Sequence, residues 1–201
     1  MNPINTYILI TFIHMLFLKK KRNNILLIVN LLISLANEIC LLLIKGNSLS
    51  TNIYVFLLFI IWLSTLLSGD SIFKKYKPHA IGVFIFFCGI NLLIYHNWWK
   101  PNFYNFIIGS LLYCTFFLFQ SYAQLKRENF NFFTTNHYLL ISSPVLFFMG
   151  MSFLFAFDSS DLFYTKIFKE ITVYAFISHF VNFIYYSLIN WYIYKENKSH
   201  V

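Results

Sequence analysis

The sequence predicts an all-α integral membrane protein, a seven-transmembrane helical bundle with its N-terminus outside and its C-terminus cytoplasmic. Three observations predict it. Of 201 residues, 59% are hydrophobic and only 11% are charged, against about 25% charged in a soluble domain. That leaves too little polar surface to cover a globule in water. The apolar residues fall into seven separable runs, near 3–18, 25–44, 52–68, 80–96, 103–121, 138–157 and 168–194. A hydrocarbon core about 30 Å thick takes roughly 20 helical residues to cross. Finally, the basic residues alternate between loops. Lys19, Lys20, Lys21, Arg22, Lys74, Lys75, Lys77, Lys126, Arg127, Lys195 and Lys198 fall on one side, and Lys45, Lys100, Lys166 and Lys169 on the other. Basic loops stay cytoplasmic, which sets the orientation, and opposite termini require an odd number of spans. A count of six, with the first run lying in the interface, is the alternative.

The whole chain, 1–201, reads as one transmembrane domain. The first run, Ile4 to Leu18, has its basic residues after it and no small-residue cleavage site, so it reads as a retained span. The second, Ile25 to Ile44, carries Asn30, Ser34, Asn37 and Glu38 at steps that place all four on one side of a helix. A carboxylate inside an apolar run costs about 2.5–3.5 kcal/mol on insertion scales, so the fold has to compensate for Glu38. The third and fourth runs hold few polar groups, with Asn91 in the fourth. The fifth holds Tyr113, Gly109 and Ser110. The sixth holds Ser142, Ser143 and Pro144, where proline frees a backbone carbonyl one turn back and serine hydroxyls can satisfy it. The seventh carries a second polar stripe of Thr172, His179, Asn182, Tyr186 and Asn190, with Glu170 in its first turn. Gly82 and Gly89 in the fourth run mark points where backbones approach closely.

The net charge of +8 is topological and implies no nucleic acid; its expected partner is the headgroup region of the bilayer. Cys40, Cys88 and Cys114 sit inside apolar runs, read as small core residues, and have no metal spacing. HExxH, GxGxxG and GxxxxGK[ST] are absent, as are the motifs of intramembrane proteases and of CDP-alcohol transferases. No catalytic residues, metal or cofactor are expected. His14 reads as interfacial. The loop from Tyr122 to His137, with Phe130, Phe132 and Phe133, reads as lying along the cytoplasmic interface.

The expected site is a cavity in the outer half of the bundle where the stripes of the second and seventh spans meet. Asn37, Glu38, Glu170, His179 and Asn182 form its ligand or proton site. Asn30, Ser34, Asn91, Tyr113 and Tyr186 complete its lining. Intramembrane acids are functional-site candidates by default.

Three stretches carry a resemblance: KKKRNNILLIVNLLISLANEI, SSPVLFFMGMSFLFAF and HFVNFIYYSLINWYIY with its short basic tail. With these the chain resembles a group of small seven-span inner-membrane proteins of Bacteroidota. The resemblance implies a bacterial signalling role, as a sensor or accessory subunit acting through a separate partner such as a histidine kinase. Of site residues it carries over Glu38 and Asn182. A small transporter or channel-like protein, in which a homo-oligomer could act, and a structural subunit of a membrane complex are the alternative functions.

Overall fold

The fold described here is a computed structural model covering residues 3–19, 24–44, 48–69, 71–95, 102–157, 164–168 and 171–198. Seven long helices account for most of it: α1 Pro3–Leu16, α2 Ile25–Leu43, α3 Ser48–Ser68, α4 Lys77–Tyr95, α5 Phe103–Lys126, α6 Asn136–Ala156 and α7 Val173–Lys198. Five of these, α2 to α6, are long and apolar enough to cross a membrane, and α1 is a shorter apolar helix. The chain is therefore read as a helical membrane protein. The polar residues on α7 keep it out of that apolar set despite its 26 residues.

Neighbours alternate in direction. Asn24, just before α2, and Asn30 in its second turn meet Tyr192 toward the end of α7 and Tyr185 at its middle. Asn136 at the start of α6 donates to Glu196 at the end of α7. The backbone N–H of Lys19, just past α1, donates to Asn197 of α7, so α1 and α7 run parallel. One end of the bundle thus gathers the starts of α1, α3, α5 and α7, and the other gathers their ends.

Helix α3 is the hub. It packs on α2, α4, α5 and α6, and Leu58, Phe59, Leu63, Leu66 and Leu67 on it are completely buried. The Phe59 ring meets Phe84 of α4 at 5.6 Å, Phe106 of α5 at 5.2 Å and Phe148 of α6 at 4.6 Å between centroids. Gly109 on α5 makes room for it, since a Cβ there would run into the Phe59 ring. In a bilayer, lipid tails are as apolar as the side chains, so close packing of this kind holds helices together. Gly82 and Gly89 differ from expectation: nothing lies within 4 Å of a Cβ built on either. They face outward from α4 and are not packing points inside this chain.

Pro144 lies inside the continuous helix α6. Proline has no N–H to give to the Leu140 carbonyl, and Ser143 Oγ donates there at 2.8 Å. Ser142 Oγ donates to the Leu139 carbonyl at 3.1 Å, and the Tyr113 hydroxyl reaches across from α5 to the Ile141 carbonyl at 2.6 Å. Three consecutive carbonyls one turn before Pro144 are thereby supplied with side-chain donors. Ser143→Ala leaves the buried Leu140 carbonyl without its donor and is expected to lower stability by about 1 kcal/mol. Thermal unfolding in detergent, followed by size-exclusion chromatography, measures it.

Two connections differ from the sequence reading. Lys166–Phe168 and Ile171–Thr172 pair as a short antiparallel ladder, Lys166 opposite Thr172 and Phe168 opposite Ile171, so the fold is not wholly helical. Helix α7 consequently starts at Val173, with Thr172 Oγ1 accepting from the Ala175 N–H at 3.2 Å. Thr172 is a helix cap rather than part of a membrane stripe. The loop after α5 turns at Glu128, whose φ is 55°, into a single 3-10 turn, Phe130–Thr134. There Phe132 and Phe133 fold onto Tyr138 of α6, with centroids at 5.4 and 5.0 Å. Only Phe130 of the three faces outward, 64% exposed. Bundle packing has captured two of the three side chains expected at the interface.

Candidate functional site

From Ile25 to Glu38 the α2 axis advances about 20 Å, at 1.5 Å per residue. Glu38 therefore lies toward the end of the bundle where α1, α3, α5 and α7 begin. It is half-buried. Among the described residues it has no hydrogen bond to a neighbouring span that would compensate a buried acid, and it faces a half-open cavity of about 170 Å³. Five helices build the wall: Ile4 and Ile8 from α1, Ser34 and Glu38 from α2, Tyr54 from α3, Phe147 and Met151 from α6, and Ser178, Asn182 and Tyr186 from α7. At about 30 Å³ per water, the space suits a few waters or a small ligand rather than a drug-sized one.

The wall is one-sided in charge. The Glu38 carboxyl acts electrostatically on the Tyr54 and Tyr186 hydroxyls, and no described cation shares the cavity wall. Ser34 Oγ bridges two neighbours, donating to its own helix at the Asn30 carbonyl (2.9 Å) and lying 3.4 Å from the Tyr54 hydroxyl. Asn182 Nδ2 donates back to the Ser178 carbonyl at 2.8 Å, which fixes its side chain at the wall. A carboxyl group surrounded by hydroxyl and amide dipoles, with aromatic faces beside it, is chemistry for a small cation or an amine, which it binds by giving up its proton. No group of three His, Cys, Asp or Glu gathers among the described residues as a metal ion would require.

The structure brings together Glu38, Ser34, Asn182 and Tyr186 of the expected set. It separates the others. Asn30 sits one turn deeper, its Nδ2 donating to the Tyr185 hydroxyl at 3.1 Å. Asn37 is buried beside the cavity without lining it, and its Oδ1 has no partner among the described residues. His179 follows Ser178 by one residue and so points elsewhere. Its Nδ1 is buried without a partner among the described residues, and it is not part of the wall. Asn91 lies at the α4–α5 contact, its Nδ2 donating at 2.7 Å to both Asn102 and Asn105. Tyr113 is spent on the Ile141 carbonyl of α6. Neither belongs to the cavity. Glu170 lies outside the described residues, and the first turn of α7 does not contain it.

Sequence reasoning missed Tyr54 and Ser178. Tyr54 had a signal, as the only tyrosine of the third apolar run. It also missed the seam between α1 and α7. There His14 Nδ1 lies 2.9 Å from Asn190 Oδ1, and Asn190 Nδ2 donates to Thr11 Oγ1 at 2.8 Å. His14 is thus a partner of α7 rather than a group of the interface, and the lower part of the α7 stripe faces α1 rather than the cavity.

No protein-family model matches this chain, and no curated protein or solved structure matches it.

Proposed function

We propose that this chain is a sensing subunit of a bacterial inner membrane, receiving a small cationic or amine-bearing ligand in the Glu38 cavity and acting through a separate partner protein. The observation that carries the reading is the cavity itself: one carboxyl, two tyrosine hydroxyls, two serines and an amide from three helices around a space of about 170 Å³. Intramembrane acids placed on such cavities mark ligand and ion sites. Seven spans with the N-terminus outside put the cavity on the outer side, because Lys19, Lys74, Lys75, Lys77, Lys126, Arg127, Lys195 and Lys198 lie toward the opposite end.

The partner is of the histidine kinase class, as the resemblance implies. Helix α4 offers the contact. Gly82 and Gly89, one heptad apart, leave an outward face without side chains beside the exposed Phe86 and Leu93. A partner helix can approach there closely. The test is recovery of the kinase with the tagged chain from its native host in mild detergent. Gly82→Leu with Gly89→Leu is expected to cut that recovery about tenfold, a change of roughly 1.4 kcal/mol. The fold is expected to stay intact, since both positions face open space. Recovery of the kinase at wild-type level from the double variant would remove α4 as the contact, and failure to recover any kinase from the wild type would remove the reading.

A further inference from the structure

A second cavity, of about 220 Å³, lies at the other end of the same helices. Asn24 and Leu26 of α2, Thr65, Ser68 and Gly69 at the end of α3, His137 of α6 and Tyr192 of α7 line it. It is the more polar of the two ends of this seam. The Tyr192 hydroxyl donates to Asn24 Oδ1 at 2.5 Å, and Lys77 Nζ donates to Ser68 Oγ at 3.2 Å. The His137 ring rests on the backbone of Gly69, where no Cβ fits, and its Nε2 is buried without a partner among the described residues.

Between the two cavities is a constriction lined by Leu27, Asn30, Ile61, Trp62, Thr65 and Leu140, too narrow for a water molecule. Leu27, Thr65 and Leu140 also line the His137 cavity; on the other side the first α2 residue of the Glu38 cavity, Ser34, lies one helical turn beyond Asn30. Polar atoms sit inside this narrow layer without matching partners. Asn30 is 1% exposed and Trp62 2%. Among the described residues neither Asn30 Oδ1 nor Trp62 Nε1 has a hydrogen-bond partner, and the Trp62 ring packs edge-on to Tyr185 with centroids at 6.1 Å. Buried unpaired groups are costly. A layer built only to seal would carry apolar side chains here, as the neighbouring Leu58 and Leu66 of α3 do. A small turn of the Trp62 ring would admit water, and water would satisfy both atoms. Constrictions that switch between dry and wet are a known way to gate a pore.

We infer that α2, α3, α6 and α7 enclose a proton path gated by the Asn30–Trp62–Tyr185 layer. Glu38 and His137 are the exchanging groups at its two ends. With the layer hydrated, the Glu38 carboxyl O–H breaks as its proton passes to the water line. His137 Nε2 gains a proton from the other end of that line and releases it at its own face. Glu38 is then reprotonated from its cavity, so one proton crosses and every group returns to its starting form. The titratable neighbours are Tyr54 and Tyr186 beside Glu38, and Tyr192, Lys77 and Glu196 toward the His137 end.

The path goes beyond the sensing role and needs neither the ligand nor a partner. The test is proton flux into liposomes holding the full chain and a pH-sensitive dye, driven by a potassium diffusion potential. Trp62→Ala is expected to raise flux about tenfold or more over the wild type. Asn30→Leu and Glu38→Gln are expected to bring it to the level of protein-free liposomes. Should Trp62→Ala fail to fold, Trp62→Phe, which retains an aromatic ring and removes the indole N–H, is expected to give a smaller rise. Flux in the folded Trp62 variant no higher than in the wild type would overturn the inference. So would flux in Asn30→Leu equal to that of a conducting wild type, because conduction would then bypass this layer.

Discussion

Phe59→Ala is expected to lower stability by about 3 to 5 kcal/mol, the range for truncating a buried aromatic ring without full collapse of the site. The ring is completely buried and touches rings from three other helices. Removing it detaches α4, α5 and α6 from their common hub. Its environment cannot close the gap cheaply, because Phe84, Phe106 and Phe148 are each held by further partners. Phe106 packs on Phe147 and Phe155, and Phe148 on Tyr113. Gly109 supplies the control. Gly109→Ala alone drives a methyl into the Phe59 ring and is expected to cost about 1 to 3 kcal/mol as overpacking. In the Phe59→Ala background the same methyl fills part of the gap, and its cost is expected to vanish. Thermal unfolding of the four proteins in detergent completes the cycle. Purely additive losses would show that the two residues do not share one site.

On the proposed sensing role, Glu38→Gln is expected to abolish ligand-dependent regulation of a co-purifying kinase while the chain still folds. Glutamine keeps the shape and removes only the charge and the exchangeable proton. Since no hydrogen bond or ion pair joins Glu38 to another described residue, nothing in the packing depends on the carboxylate. Asn182→Phe reaches the same cavity from α7. It gives up one hydrogen bond within its own helix and fills the space with a ring. The same loss of regulation is expected from it, although the charge is untouched. Kinase autophosphorylation in membrane vesicles, compared with and without the stimulus, measures both. Loss in Glu38→Gln with full regulation in Asn182→Phe would mean that the carboxyl acts outside the cavity.

Helix positions were legible in the sequence because apolar runs of bilayer length admit few other readings. The meeting of α2 with α7 was legible in part, through Ser34, Glu38, Asn182 and Tyr186. Polar groups in an apolar helix must face something other than lipid, so two such stripes have reason to meet. The periodicity could not separate adjacent residues on a broad stripe. Asn37 and His179 are each one residue from a wall residue, and that rotation of about 100° turns them away. Asn190 continued the stripe in sequence but found α1, because α7 packs on two different neighbours along its length. Asn91 and Tyr113 failed for another reason: each is polar to satisfy a local need, an amide cluster and a carbonyl before a proline, which no pattern within its own helix announces. The hairpin before α7 was hidden because Phe168 and Ile171 resemble the start of an apolar helix.

Glu38 faces a water-accessible cavity closed on its far wall by α7. A water-soluble carbodiimide with an amine nucleophile, applied to membrane vesicles and followed by mass spectrometry of the Glu38 peptide, tests it most directly. Modification of Glu38 in the wild type, suppressed about tenfold or more in Asn182→Phe, is the predicted result. Equal modification in both proteins, or none in the wild type, would contradict it.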